Sequence, residues 1–410
     1  MPRGSICQLL LAPCVALFVL LAAPWQGVAA TTGAGDGTGE AFLDAGIAPV
    51  VAPPALGPMV YDASARRYVA SAGGSQAVLS ISPRLQRSLE KLLADYRLPM
   101  GAVVLMEPKT GRVRALAEHV ERGPKVHVAL EPIAPAASIF KLVTSAALLD
   151  RGILPDSEVC FHGGRHRIQK VLLADNPRRD HRCLTLAAAL GKSANVVFAK
   201  LAERDLSADL LRAEAERFFF NSQIAFPWPV RPSPARISED PFELATTAAG
   251  FGPVRLSPLH GAVMASLIAN GGTFVSPRIV DEVDGVAAPA PRPPRQILRP
   301  EVAAALTRMM ETTVTEGTAR KVFRRDRLAR HSPLREMSVA GKTGSLAEIE
   351  PYRDYSWFVG FAPAEDPRVA VAAVVVNDRR WRVKASFLAH EALKSYFGDA
   401  SPGDVRTAAR

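Results

Sequence analysis

The chain is poor in cysteine, with four in 410 residues, and only Cys160 and Cys183 lie beyond the N-terminal apolar segment. The folded part can hold at most one internal disulfide. No zinc-finger spacing and no aromatic RNA-binding signature accompany the net charge of +10, so nucleic acid is excluded as the reason for that charge. There is no internal repeat, which excludes a solenoid or propeller. The N-terminal apolar run, Leu9 to Ala23, is broken by Pro13 and falls short of the roughly 20 residues of a membrane span.

What is present supports a large packed core. Hydrophobic residues make up 48% and charged residues 22%, which argues against general disorder. The excess of Lys and Arg suits an anionic surface or polymer, or reflects arginine-rich usage alone. Arg3, the apolar run and the small residues Val28-Ala29-Ala30 read as an export signal over 1–30, either cleaved or kept as an anchor. Cys7 and Cys14 belong to that segment. Both versions place the folded part outside the cytoplasm. Residues 31–81 read as a low-complexity spacer, richest in Gly, Ala, Pro and Thr up to residue 60. The folded domain is expected over 82–398, with a tail at 399–410.

Periodicity places the elements. Ser82-Pro83 opens a helix in which Leu85, Leu89, Leu92 and Leu93 recur at helical spacing. Gly101–Met106 and Arg112–Ala117 read as two strands around the turn Glu107–Gly111. Helices are expected over 138–151, within 184–204, and over 256–270, 301–315 and 384–397. Three strands are expected at 338–345, 356–361 and 369–377, and the Pro-rich stretch 287–300 reads as a surface loop. Strands at both ends with helices between predict an α+β fold: an antiparallel five-stranded sheet covered by helices, plus an all-helical subdomain.

Three motifs carry chemistry: Ser138-Ile-Phe-Lys141, Ser193-Ala-Asn195 and Lys342-Thr-Gly344. A serine needs an adjacent base to become a nucleophile. On a helix, Lys141 lies one turn from Ser138. It can act as base if burial and a second cation, Lys342, lower its pKa. Ser193 can relay a proton, and the Asn195 amide can hold a peptide or orient a lysine. Lys342 and Thr343 can receive a carboxylate, and Gly344 on a strand edge lets a backbone approach. Read singly, Ser138 is a helix cap, Ser193 and Asn195 are loop residues, and Lys342–Gly344 is a solvated turn. A lone Ser-x-x-Lys arises about once by chance in a chain of this length, so the order of the three and their flanks make the case.

Cys160 and Cys183, with 22 residues between them, suit one disulfide in an oxidising compartment. In the chain-entropy picture, closing that loop contributes about 3 kcal/mol. His162, His166 and His181 lie between them, so a Cys/His zinc site is the rival, with free thiols a third possibility.

The flanks complete the pattern. Ala102–Gly111, Pro135–Thr144, Ala249-Gly-Phe-Gly252, Ser257-Pro-Leu-His260, Ala269–Gly272, Glu316-Gly-Thr-Ala319 and Tyr355–Pro363 join the three motifs. Together they resemble the transpeptidase domain of penicillin-binding proteins, the β-lactamase-like superfamily. The resemblance implies D,D-transpeptidase chemistry on peptidoglycan stem peptides ending in D-Ala-D-Ala, and acylation by β-lactam antibiotics. It casts Ser138, Lys141, Ser193 and Lys342 as catalytic and Asn195, Thr343, Gly344 and Ser345 as substrate-binding. The N–H groups of Ser138 and Ser345 would form the oxyanion hole. No metal and no cofactor are implied, and protein partners stay unnamed. In the sequence as given, 81 residues precede Ser82. That leaves no room for a pedestal or glycosyltransferase domain, so glycan polymerisation is not expected. A D,D-carboxypeptidase, a β-lactamase and a non-catalytic sensor or scaffold are the alternatives. The 149-residue gap from Ser193 to Lys342 disfavours a β-lactamase, as does the lack of a recognisable deacylation loop around Glu239 and Glu243. The basic run Arg320 to Arg335 (Lys321, Arg324, Arg325, Arg327 and Arg330 among them) reads as a solvated helix face, or as a contact for acidic wall polymer.

Overall fold

Strand Val369–Asn377, sequence VAVAAVVVN, is buried along its whole length, and its alternation explains the architecture. Ala370, Ala372, Val374 and Val376 pack into one core. Val371, Ala373 and Val375 pack into another. Successive side chains of a strand point to opposite faces, so this strand is the middle layer between two helical layers. Its partners divide the same way. Ala102, Val104 and Met106 face the first core, and Val103 and Leu105 face the second. The five-stranded antiparallel sheet runs in the order 340–349, 352–362, 369–377, 100–106, 113–120. The first hairpin and the last three strands thus meet, as the sequence predicts. The computed structural model describes residues 55–121, 126–289 and 292–398.

Helices Pro83–Asp95 and Ala385–Gly398 cover one face. Ser82 caps the first of these by accepting from Leu85 N, and Pro83 opens it. Leu85, Leu89 and Leu93 enter the core. Gln86 on the same face gives its amide N–H to Leu116 O (2.9 Å) and accepts from Leu116 N (2.8 Å). It thereby closes part of the open edge of strand Val113–Val120, which would otherwise offer unpaired backbone groups. The other face carries Pro258–Ala269, a helix buried nearly all round. The remaining helices, Lys141–Asp150, Leu186–Gly191, Asn195–Asp205, Ala208–Arg217, Pro241–Ala248 and Pro300–Thr315, form the helical region beside it. Among the described residues no helix is long and apolar enough to cross a membrane.

Two expectations need correction. The spacer does not extend to residue 81: Val60–Asp62, Arg67–Ala72 and Ser75–Leu79 are strands of a second five-stranded antiparallel sheet with Val280–Val283 and Val286–Ala287. Tyr68, Ala70, Ala72, Ala77 and Leu79 bury alternate side chains. Gly73-Gly74, both at positive φ, makes the tight turn that such hairpins need. The stretch 287–300 is also not all loop, because Arg295–Gln296 pairs with Thr273–Phe274. The basic run starts as helix Arg320–Leu328, with Lys321, Arg324 and Arg325 exposed and Phe323 turned into the second core. The expected signal at 1–30 with Cys7 and Cys14, the spacer up to residue 54 and the tail at 399–410 lie outside the described residues.

The helix-on-sheet contact carries a direct stability test. Leu93→Ala removes a fully buried side chain and should cost about 2–5 kcal/mol, read as a lower denaturant midpoint. Leu92→Ala, at a half-buried neighbour, should cost clearly less; equal costs would contradict the described face.

Candidate active site

The three motifs converge on one cleft of about 520 Å³ lined by Ser138, Ser193, Asn195, Thr343, Gly344 and Ser345. Ser138 lies in a single 3-10 turn, Ala137–Phe140, that leads directly into helix Lys141–Asp150. It is not a capping serine, because the cap position is Ala136 and no side chain bonds there. The Ser138 hydroxyl instead lies 2.9 Å from Lys141 Nζ.

Lys141 has no exposed surface. Its amine has three partners: Ser138 Oγ at 2.9 Å, Asn195 Oδ1 at 2.8 Å and the Ala249 carbonyl at 2.5 Å. Asn195 Oδ1 and the carbonyl can only accept. A neutral amine has two hydrogens and one lone pair. Both hydrogens go to the obligate acceptors, so the lone pair is left facing Ser138, the one partner with a hydrogen to give. Burial holds the Lys141 pKa well below the ordinary lysine range, and the charge of Lys342 pushes it further the same way.

Lys342 is also wholly buried, and burial pushes its pKa down to about 7. It donates to Ser193 Oγ (3.1 Å) and to the Thr343 carbonyl (2.7 Å). The Thr343 hydroxyl bonds that of Thr318 at 2.5 Å. All three residues of the third motif lie on strand Ala340–Ile349, at the open edge of the sheet, as predicted.

Gly344 lines the cleft and is also pressed from within the fold. A Cβ there would sit 3.3 Å from Ile139 Cγ1, 3.4 Å from Ala136 O and 3.2 Å from Trp357 Cβ. Its smallness lets the edge strand close onto the Ser138 turn. Trp357, fully buried, donates its indole N–H to Pro135 O (2.9 Å) and ties the neighbouring strand to the same turn. From the other side, Gly250 at φ +95° holds the turn: a Cβ there would lie 2.4 Å from Ala137 O. Ala137 (φ 48°) and Ser193 (φ 52°) both adopt left-handed backbone, which costs about 1–3 kcal/mol each and is maintained by the surrounding packing.

The structure joins Cys160 to Cys183 in a disulfide, opposite one another in the hairpin 158–161/182–185. Both sulfurs are thereby spent, leaving none for a zinc site, and His162 pairs with Asp180 at 2.5 Å. The closed loop carries Arg165 and His166 to the second motif. The Arg165 carbonyl accepts from Val196 N (3.2 Å), and the His166 carbonyl accepts from Asn195 Nδ2 (2.7 Å). The far end of the Asn195 amide is thus anchored while its oxygen holds Lys141.

The description "Penicillin binding protein transpeptidase domain" matches residues 101–394. The chain belongs to the penicillin-binding protein transpeptidase family. Peptidoglycan D,D-transpeptidase PbpA of Mycobacterium tuberculosis is 28% identical over 352 residues, which is 74% of this chain and 68% of that protein. The imipenem acyl-enzyme complex of penicillin-binding protein A from M. tuberculosis is 25% identical with a TM-score of 0.62, over 79% of this chain and 80% of that one. Pseudomonas aeruginosa PBP2 in complex with WCK 5153 is 25% identical with a TM-score of 0.65, over 84% and 88% respectively.

The transpeptidase cleft has further walls that the motifs do not include: His166, Phe251, Thr318, Ser356, Trp357, Lys384 and Ser386. Phe251, Thr318, Ser356 and Trp357 fall in flanking segments that carry the family resemblance, so a signal for them existed. Lys384 and Ser386 carried none, because the turn that brings them to the cleft is a tertiary feature.

Gly250→Ala tests the clamp on the nucleophile turn. It should slow acylation of Ser138 by about 10²-fold through displacement of the turn, while overpacking costs about 1–3 kcal/mol of stability. Acylation at the parent rate in a folded variant would refute the clamp.

Proposed function

We propose that this protein is an acyl-serine D,D-transpeptidase that cross-links peptidoglycan stem peptides ending in D-Ala-D-Ala and is acylated by β-lactams. The observation that carries the reading is the buried Lys141 amine, whose two acceptor-only partners leave its lone pair for Ser138. In the proposed cycle the Ser138 proton passes to Lys141 Nζ as Oγ attacks the carbonyl of the penultimate D-Ala. The oxyanion is received by the N–H groups of Ser138 and Ser345. Collapse breaks the peptide bond, and the departing D-Ala amine takes a proton through Ser193, which Lys342 holds. Lys342 and Thr343 receive the terminal carboxylate, and Asn195 contacts the donor peptide. The amine of a neighbouring stem then attacks the ester, and Ser138 regains its proton.

The reading includes export by the N-terminal segment, as cleaved signal or membrane anchor, so that residues 82–398 work on the wall side of the membrane. Names of the relatives support the substrate class: PbpA is a peptidoglycan D,D-transpeptidase. A β-lactamase would need a group to activate the deacylating water. Glu239 is paired with Arg212 at 2.5 Å, and neither Glu239 nor Glu243 lines the cleft that holds Ser138.

The test is a fluorescent penicillin incubated with the full chain and with Ser138→Ala. A label that persists for many minutes in the parent and is absent from the variant is expected. Rapid loss of label with consumption of penicillin would mean a β-lactamase, and no label in either would mean a non-catalytic binding protein. Mass spectrometry of a stem pentapeptide with an added amine acceptor should give cross-linked product with release of D-Ala; trimmed tetrapeptide alone would mean a carboxypeptidase.

A further inference from the structure

We propose that Lys384 reads a carboxylate on the acyl donor, so that the cleft favours donors with an anionic side chain. The inference rests on the acyl-transfer reading above and adds the donor's chemical class.

Two lysines of the cleft are sealed from solvent: Lys141 and Lys342 have no exposed surface. His166, in the wall, has its pKa lowered by burial and by the nearby Arg165 charge, which favours its neutral form. Lys384 is exposed and lines the same cleft. Among the described residues that line it, Lys384 is the one cation open to solvent. Among the described residues it has no carboxylate partner, and its Nζ rests 5.7 Å from the Trp381 ring centroid. Acids on the neighbouring segment are engaged elsewhere. Asp354 accepts from the Trp381 indole (2.7 Å), and Asp378 pairs with Arg382 (3.3 Å).

The backbone fixes where this charge stands. Tyr352, Asp354 and Ser356 alternate along one strand and so share a face. The connector to the last helix lies along them: Arg379 sits over the Tyr352 ring, Trp381 bonds Asp354, and Ala385 N donates to Ser356 Oγ (3.1 Å). Ser356 pairs in register with Ser345 on the edge strand, one strand spacing of about 4.8 Å away. A donor whose terminal carboxylate ends at Lys342 and Thr343, with its scissile carbonyl at Ser138, continues outward past Ser345. Its next side chain then comes level with Lys384, where an exposed cation attracts a carboxylate more strongly than a neutral amide or a phenyl group.

The test uses two penicillins that differ by one side-chain carboxylate, carbenicillin and benzylpenicillin. Second-order acylation rates are measured for the full chain, Lys384→Gln and Lys384→Glu. The carbenicillin-to-benzylpenicillin ratio should fall about two- to fivefold in Lys384→Gln and further in Lys384→Glu. The parent's preference should shrink in about 0.5 M salt. An unchanged ratio, or equal slowing of both penicillins, overturns the proposal. Failure of both penicillins to acylate the parent would overturn the acyl-transfer reading instead.

Discussion

A lysine amine with no route to water governs this structure. Charging the Lys141 amine in a buried site is costly, and the nearby Lys342 makes it costlier. Neutral, it fits its three partners with no donor wasted and no acceptor left bare. The same geometry that disfavours the charge would turn the neutral amine's lone pair toward the Ser138 hydroxyl. In the proposed cycle, activation of the serine rests on this solvation argument and uses no histidine or carboxylate.

Much of the fold serves to hold that amine still. The Ala249 carbonyl reaches it from the turn that also clamps Ala137 through Gly250. The Asn195 oxygen reaches it from the second motif, whose amide nitrogen is tied to the disulfide-closed loop at His166. The edge strand supplies Lys342 and closes on the nucleophile turn across Gly344, and Trp357 adds a bond to Pro135. The Ser138 turn, the second motif, the Ala249-Gly250 turn and the edge strand are far apart in sequence. They meet because strand Val369–Asn377 splits its side chains between two cores and fixes the sheet between two helical layers.

The sheet was legible in the sequence because its signal is local: apolar runs, the turn at Glu107–Gly111, and the Ser82-Pro83 start. The motif residues were legible through the order of the three motifs and their flanks, since each motif alone has common structural uses. The hairpin at Gly73-Gly74 carried a readable turn, yet its low-complexity surroundings masked the alternation of Tyr68, Ala70 and Ala72. The packing of Gly344 against Ile139 and Trp357 was not legible, because which side of a strand a neighbour presses on is not written in the strand. The left-handed backbone at Ala137 and Ser193 leaves no mark in residue type, since surrounding packing imposes it. Ser386 and Lys384 reach the cleft only through the path of the connector along Tyr352, Asp354 and Ser356, which no local pattern specifies.

In the proposed cycle, burial beside a second cation favours the neutral form of Lys141, and that form accepts the Ser138 proton. A depressed pKa means that the base form is present above that pKa and lost below it, so acylation should rise with pH through it. The most direct measurement is the pH profile of penicillin acylation in the parent chain and in Lys342→Gln, comparing the position of the rising arm and not its height. Removing the cation should raise the Lys141 pKa and move the arm to higher pH. An arm that stays in place, or moves to lower pH, would contradict the account.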